Sequence, residues 1–162
     1  LTFAWVLSSI CRELQTGEYL ATFISGTLDP MFLPVVVFFI GAIMSFATGS
    51  SWGTFAIMMA TTLPIAQILG ADLVLTIAAI ISGGLFGDHT SPISDTSVLA
   101  SMGAGCPHID HVSTQLPYAL ITGAMAISAF VLLAFLQSPY VIFIMIPLQY
   151  FAIRFIMHRY GE

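Results

Sequence analysis

The chain has 162 residues, of which 58% are hydrophobic and only 7% are charged, and its formal net charge is −5. Soluble domains carry about 25% charged residues, so this composition excludes a soluble protein and indicates an integral membrane protein. The three basic side chains give no signal for nucleic-acid binding, and the two cysteines make no disulfide framework. Charged residues and histidines are absent from 30–71 and from 112–153, and each run is long enough for two membrane segments.

The first part of the chain is predicted to leave a membrane helix and run along the membrane surface. Residues 1–11 predict the end of an apolar helix without a methionine or a basic lead-in, so we expect a C-terminal fragment of a longer protein. In residues 12–28, apolar side chains recur at helical spacing among polar ones, which favours an interfacial helix. A plain polar loop is the alternative.

Two apolar arms separated by the polar sequence TGSSWGT follow Asp29-Pro30. They predict a helical hairpin over residues 31–70. Two arrangements fit this pattern: two full membrane spans joined by a tight turn, or a re-entrant hairpin that enters and leaves on the same side. Irregular chain at membrane depth requires surrounding protein or a water-filled cavity.

A third apolar arm runs into the most polar stretch of the chain, GDHTSPISDTS at residues 87–97. Glycines loosen the preceding helix and Pro92 prevents its simple continuation, so residues 73–105 predict a broken membrane helix. After the polar connector CPHIDH, residues 117–136 and 140–157 predict two ordinary transmembrane helices.

Basic residues gather at the end of the last predicted span. Arg154, His158 and Arg159 place this C-terminal end in the cytoplasm by the positive-inside tendency.

The break at residues 87–97 has the chemistry of a cation site. A broken helix leaves free carbonyls on one half and free amides on the other, and hard cations prefer carboxylate, carbonyl and hydroxyl oxygens. Asp88 and Asp95 are therefore the predicted cation- and proton-binding pair, with Asp88 slightly ahead, and they would titrate as a coupled unit. The predicted neutral ligands, which include residues of the hairpin turn, are Ser51, Thr54, Ser91, Ser94 and Thr96.

Each of these features also has a purely structural interpretation. Asp95 is suited to cap a helix that begins at Thr96. The spacing of the glycines in GSSWG and GGLFG also suits close helix packing.

Histidines near the break are predicted to act in its second shell. His89 is either a proton partner of Asp88 or a hydrogen-bonded structural histidine. Asp110 and His111 complete the predicted second shell or proton relay. Together with Cys106 and His108 they also form a weak metal-binding pattern, although a connector that caps the next helix suits them better.

Two segments together resemble the C-terminal half of NhaC-type sodium/proton antiporters, bacterial inner-membrane proteins of the ion-transporter superfamily. They are ATGSSWGTF and GDHTSPISDTSVLASMGAGCPHIDHVSTQLPYA, and the resemblance covers roughly residues 1–136. Ser50 stands where the family often has threonine, and Thr90 where it often has cysteine or another small residue. Both departures leave the predicted ligands intact.

The resemblance implies an all-α inverted-repeat fold with re-entrant hairpins and broken helices, of which this chain would be one repeat. The turn at 48–54 would then face the break at 87–97. The implied partners are the lipid bilayer and the missing N-terminal half of the transporter, with a homodimer left open. Sodium ions and protons would be the transported or coupling ions, without a further cofactor.

The predicted function is exchange of sodium for protons through a carboxylate site at a helix break. Within transport, the alternative is a sodium- or proton-coupled antiporter of organic acids or amino acids, of the malate/lactate type. Outside transport, the alternatives are an intramembrane metal-dependent enzyme that uses His89, His108 and His111, and a purely structural membrane domain.

Overall fold

The computed structural model describes residues 2–160 of the chain, with side chains up to residue 154. Within this range the protein is helical, and one short 3-10 turn at Pro30–Phe32 precedes the third α-helix. The α-helices are α1 (Thr2–Glu13), α2 (Thr16–Ile24), α3 (Leu33–Thr48), α4 (Ser51–Leu69), α5 (Leu73–Thr90), α6 (Asp95–Ala104), α7 (His108–Leu136) and α8 (Val141–Tyr160).

Four of these helices are long and apolar enough to cross a membrane, judged by length and composition. They are α3 together with the 3-10 turn before it, α4, α5 and α7. The chain is therefore an all-α integral membrane protein.

Helices α3 and α4 are joined by the two residues Gly49 and Ser50. Gly49 adopts a left-handed conformation with φ 65°, which glycine reaches without strain. Ser50 is extended, and its Oγ accepts a hydrogen bond from the backbone N of Gly53 (3.4 Å), so it caps α4. A connection this short keeps the turn of the hairpin compact.

The helix predicted over residues 73–105 is interrupted between α5 and α6. Asp72 caps α5 by accepting a hydrogen bond from the N of Leu75 (2.9 Å), and α5 ends at Thr90. Ser94 caps α6 by accepting from the N of Ser97 (3.3 Å). The structural interpretation of Asp95 as the cap of a helix beginning at Thr96 is therefore wrong, because α6 begins at Asp95 and the cap is the serine before it.

Helices α3 and α5 lie in backbone contact at the centre of the fold. A Cβ atom on Gly83 would lie against the carbonyl of Phe38, and one on Gly87 would lie against the carbonyl of Ala42. These two glycines thus serve the close packing that their spacing indicates. Gly53 does not, because the nearest atom to a Cβ there would be 3.7 Å away.

Aromatic rings extend this core towards α7. The Phe38 ring on α3 is buried, and its centroid lies 5.8 Å from that of Phe86 on α5 and 5.9 Å from that of Phe130 on α7. The core therefore joins α3, α5 and α7, with α5 in direct contact with both of the other helices.

Two element boundaries differ from the sequence-based expectation. Residues 12–28 do not form one helix: the chain turns at Gln15, which has a left-handed φ of 51°, and α2 buries Gly17 and Ala21. A Cβ on Gly17 would lie 2.5 Å from the carbonyl of Thr61 on α4, so α2 is packed on protein at this face. The connector predicted before residue 117 is also helical, because α7 already begins at His108.

The expected cytoplasmic location of the C-terminus depended partly on His158 and Arg159. Their side chains lie outside the described part of the chain, although the backbone of α8 is helical to Tyr160.

Candidate functional site

Asp88 is a buried carboxylate in the last turn of α5, with 1% of its surface exposed. Its Oδ1 accepts a hydrogen bond from Ser94 Oγ (2.9 Å), and its Oδ2 accepts one from Thr96 Oγ1 (2.8 Å). Both donors lie beyond the helix break. The two hydroxyl oxygens are themselves 2.8 Å apart. The start of α6 thus lies against Asp88, which is the only ionisable side chain among the buried residues that the structure describes.

The local sequence explains this geometry. Helix α5 ends with Ser91 in an extended conformation, and its N donates to the carbonyl of Asp88 (3.1 Å). Pro92 then prevents the helix from continuing. Helix α6 restarts with Ser94 as cap and Thr96 in its first turn, where hydroxyl donors and the positive end of the helix dipole both favour a nearby anion. The start of α6 is therefore suited to stabilise a nearby carboxylate.

The turn between α3 and α4 lies directly against the break. Ser91 is fully buried, and its Oγ donates to the carbonyl of Phe46 (2.8 Å). The backbone N of Asp95 donates a hydrogen bond to the carbonyl of Gly49 (3.4 Å). A Cβ on Gly49 would lie 2.6 Å from the carbonyl of Ile93, so the two irregular segments approach each other backbone to backbone. The structure thus brings the turn and the break together.

The remaining predicted ligands lie in the first turn of α4. Ser51 and Thr54 are both buried, with 4% and 1% of their surfaces exposed. Thr54 Oγ1 donates to the carbonyl of Ser50 (3.0 Å), within the turn itself. Neither side chain hydrogen-bonds to Asp88, so the structure places them beside the break without joining them to the carboxylate.

The two predicted carboxylates have different surroundings. Asp88 is buried and hydrogen-bonded, whereas Asp95 is exposed at the first position of α6. No hydrogen bond links the two side chains. Asp88 is consequently the stronger candidate for a site that holds a desolvated ion.

The predicted second shell is not joined to Asp88. His89 is exposed, and its Nδ1 donates to the carbonyl of Leu85 (2.8 Å) in its own helix. Asp110 is exposed in the first turn of α7, and His111 is half-buried one residue later. His89 thus bonds within its own helix and not to Asp88.

Helix α7 contacts the break through residues that the sequence did not single out for this role. His108 Nε2 donates to the carbonyl of Pro92 (2.7 Å), and its Nδ1 lies 3.2 Å from Ser101 Oγ on α6. Gln115 Nε2 donates to the carbonyl of His89 (3.2 Å) at the end of α5. One helix therefore fixes both sides of the break. Partners so far apart in the chain leave no local sequence signal.

Ser45 on α3 is a second feature that the sequence did not indicate. Its side chain is fully buried, and its Oγ is the one buried side-chain oxygen or nitrogen in the described structure that lacks a hydrogen-bond partner. A buried hydroxyl without a partner costs about 1–3 kcal/mol. Ser45 lies one turn before Gly49, where α3 approaches the break.

The metal-enzyme alternative finds no support in the described residues. Nowhere among them do three His, Cys, Asp or Glu side chains converge. His108 instead holds the carbonyl of Pro92, and His89 a carbonyl of its own helix.

Buried ionisable side chains and discontinuous membrane helices are features from which transporter sites are commonly built. The comparison with known proteins agrees: the chain matches the model of the Na+/H+ antiporter family over residues 1–137 and belongs to that family. Two of its relatives are named Na(+)/H(+) antiporter NhaC.

Three relatives illustrate the family. An uncharacterized protein of Haemophilus influenzae is 44% identical over 139 residues, which cover 85% of this chain and 27% of the relative. The Bacillus subtilis Malate-2H(+)/Na(+)-lactate antiporter is 34% identical over 68% of this chain and 26% of its own length. The Na(+)/H(+) antiporter NhaC of the same organism is 31% identical over 74% of this chain and 26% of its own length.

The chain thus spans about a quarter of the length of the curated relatives it matches. No solved structure matches it significantly.

Proposed function

We propose that this chain provides the cation-binding part of a secondary transporter that exchanges sodium for protons across the bacterial inner membrane. The observation that carries the proposal is the buried Asp88 carboxylate, which is held by Ser94 and Thr96 across the break between α5 and α6. Burial of an ionisable side chain among membrane helices is costly, so such a residue generally serves an ion pathway.

In the proposed mechanism, sodium ions and protons compete for the same carboxylate oxygens of Asp88. A desolvated carboxylate is stabilised either by a bound sodium ion or by a proton, and both states are neutral. Each occupied state can therefore be moved across the membrane, whereas the empty, ionised state is held back. Neutral oxygens next to Asp88 would complete the coordination of sodium. The proposed neutral ligands are Ser51, Thr54, Ser91, Ser94 and Thr96, and Asp95 remains the second carboxylate of the proposed site.

The rest of the transporter is proposed from the same evidence. We take residues 31–70 as a re-entrant hairpin and 73–105 as the broken helix of one repeat, facing an inverted second repeat. Contact between the hairpin turn and the break supports this arrangement, because transporter sites form where discontinuous segments meet. The part of the relatives' length that this chain does not span would include the N-terminal half, and the C-terminus would lie in the cytoplasm.

The test is exchange by the full transporter that contains this segment, reconstituted in proteoliposomes with an internal pH dye. A sodium pulse should move protons in the opposite direction without any organic acid. Asp88→Asn should abolish this response, since an amide cannot exchange a proton for sodium. Glu13→Gln, a change of the same kind at the exposed end of α1, should leave the rate unchanged. A wild-type rate in Asp88→Asn would refute the proposal.

Asp95→Asn separates the two carboxylates. Asp95 is exposed at the start of α6 and Asp88 is buried, so the amide at 95 should slow the exchange, and its effect should be smaller than that of the amide at 88.

A second candidate function is supported by one cleft. Arg12, Trp5, Ser8 and Trp52 line a space of about 730 Å³ between α1, α2 and α4, next to the hairpin turn. A guanidinium that shares a cleft with aromatic rings suits an organic carboxylate, and one relative is named as a malate/lactate antiporter. In the same liposomes, a response to sodium that appears only after malate or lactate is added would favour this function.

A further inference from the structure

Helix α7 presents two side-chain donors to the backbone around the break between α5 and α6. His108 Nε2 lies 2.7 Å from the carbonyl oxygen of Pro92, inside the break. Gln115 Nε2 lies 3.2 Å from the carbonyl oxygen of His89, in the last turn of α5. The two donors are seven residues apart, so they lie on the same face of α7, separated by about two turns. We call His108 and Gln115 the α7 clamp.

The His108 ring contacts the chain before and within α6. A carbonyl oxygen only accepts hydrogen bonds, so Nε2 carries the proton that bonds to Pro92. The other ring nitrogen, Nδ1, lies 3.2 Å from Ser101 Oγ in the last turn of α6. The ring is half-buried at the first position of α7. One side chain therefore links α7 to the break that precedes α6 and to the end of α6.

The α7 clamp supplies hydrogen-bond donors to carbonyls that the helices leave open. The last carbonyls of a helix have no partner within the helix itself. The carbonyl of Asp88 accepts from the backbone N of Ser91 (3.1 Å), so the chain satisfies this group locally. The carbonyls of His89 and Pro92 accept instead from α7. The path of the chain from α5 to α6 thus depends on contacts with α7.

The cation site depends on this path, because its two hydroxyl groups lie beyond the break. Ser94 Oγ is 2.9 Å from one oxygen of Asp88, and Thr96 Oγ1 is 2.8 Å from the other. His89 follows Asp88 directly, and Pro92 lies two residues before Ser94. The α7 clamp therefore holds one carbonyl beside the carboxylate and one beside the hydroxyl groups that bond to it.

We propose that His108 and Gln115 are positioning residues of the cation site, which keep the start of α6 against Asp88 so that carboxylate and hydroxyl oxygens are available to one sodium ion. The proposal rests on the proposed function of Asp88. It adds that α7 sets the sodium affinity of the site through the backbone of the break. When the start of α6 moves away from Asp88, the hydroxyl oxygens are lost to the ion, and the apparent affinity falls with the fraction of molecules that keep them in place.

The first test measures sodium binding by the full transporter, purified in detergent, from the rise in melting temperature as sodium is added. His108→Leu removes the donor to Pro92 and should raise the apparent Kd for sodium by about two- to tenfold, as expected for one lost hydrogen bond. His108→Gln keeps a side-chain N–H donor and should restore most of the affinity. Gln149→Leu is the control, because Gln149 also donates to another helix, at Thr122 Oγ1 (3.1 Å), but away from the break. It should retain the wild-type Kd.

A purely structural role of His108 gives a different result. General destabilisation lowers the melting temperature without sodium and leaves the apparent Kd unchanged. An unchanged Kd in His108→Leu, or a Kd in His108→Gln as weak as that in His108→Leu, would overturn the proposal. If His108→Leu does not fold, Gln115→Leu removes the longer of the two contacts and carries the same test, with an expected rise in Kd of about two- to fivefold.

A double mutant tests whether His108 acts through the hydroxyl groups of α6. In the Thr96→Val background one of these hydroxyl groups is already absent, so His108→Leu should raise the Kd by a smaller factor than in the wild type. Equal factors in both backgrounds would show that His108 acts independently of the hydroxyl groups and would contradict the positioning role.

Asp88→Asn separates this proposal from the proposed function. If Asp88→Asn abolishes the stabilisation by sodium while His108→Leu binds sodium as the wild type does, the positioning role fails and the proposed function stands. If Asp88→Asn binds sodium as the wild type does, the proposed function fails, and the positioning role fails with it.

Discussion

Gly87 is the position where one added methyl group should disturb the site most. It lies beside Asp88, on the face of α5 that packs on α3. A Cβ there would lie against the carbonyl of Ala42 and 2.8 Å from the N of Phe46. Both obstacles are backbone atoms of a helix, so no side chain can rotate away, and α3 and α5 must separate.

The size of the effect in Gly87→Ala follows from two costs and one gain. Overpacking of this kind costs about 1–3 kcal/mol. Separation would also stretch the 2.8 Å bond between Ser91 Oγ and the carbonyl of Phe46, whose loss leaves a buried acceptor at a further cost of about 1–3 kcal/mol. Alanine regains about 1 kcal/mol of helix propensity. The expected net loss is about 1–5 kcal/mol, together with loss of exchange.

Thermal unfolding of the detergent-purified transporter measures this loss. The matched control is Gly103→Ala in α6, because a Cβ on Gly103 would have no atom within 4 Å. The control should keep or slightly raise the melting temperature. A Gly87→Ala protein that melts with the wild type would show that α3 and α5 are not in backbone contact, and the geometry derived for the break would be wrong.

Two buried serines should respond in opposite ways to alanine. Ser91→Ala should lower the melting temperature by the equivalent of about 1–3 kcal/mol, because the carbonyl of Phe46 loses its donor. Ser45→Ala removes an unpartnered buried hydroxyl, so it should keep or raise the melting temperature and yet raise the KM for sodium if its oxygen serves as a ligand. Ser113→Ala, whose hydroxyl bonds an exposed carbonyl, is the control. Equal losses of stability in both buried variants would contradict the hydrogen-bond assignments.

The places where membrane helices end could be predicted because their causes are local. Gly49 and Ser50 terminate α3 and cap α4 through their own backbone conformations. Pro92 lies inside the break between α5 and α6, where a helix cannot pass. The turn at Gln15 has no such signal: a non-glycine residue adopts a left-handed conformation there, and α2 is held by packing on α4. Tertiary contacts of this kind cannot be inferred from composition.

The chemistry of the site could be predicted more completely than its geometry. Residue types alone indicated a carboxylate with hydroxyl partners at the break, and Asp88 with Ser94 and Thr96 form such a group. The sequence could not separate Asp88 from Asp95, because their burial depends on the path of the chain between the two helices. It also missed His108, whose partner carbonyl at Pro92 lies on another element.

The position of the polar stretch follows from the need to partner a buried carboxylate. An unbroken helix at residue 88 would satisfy its own backbone and leave the carboxylate with nothing but apolar neighbours. Because α5 ends and α6 begins after Ser94, the hydroxyl groups of Ser94 and Thr96 can donate hydrogen bonds to the Asp88 carboxylate. The same break frees the backbone groups that bond to Gly49 on the hairpin and to His108 on α7. The break is therefore held by the hairpin on one side and by α7 on the other.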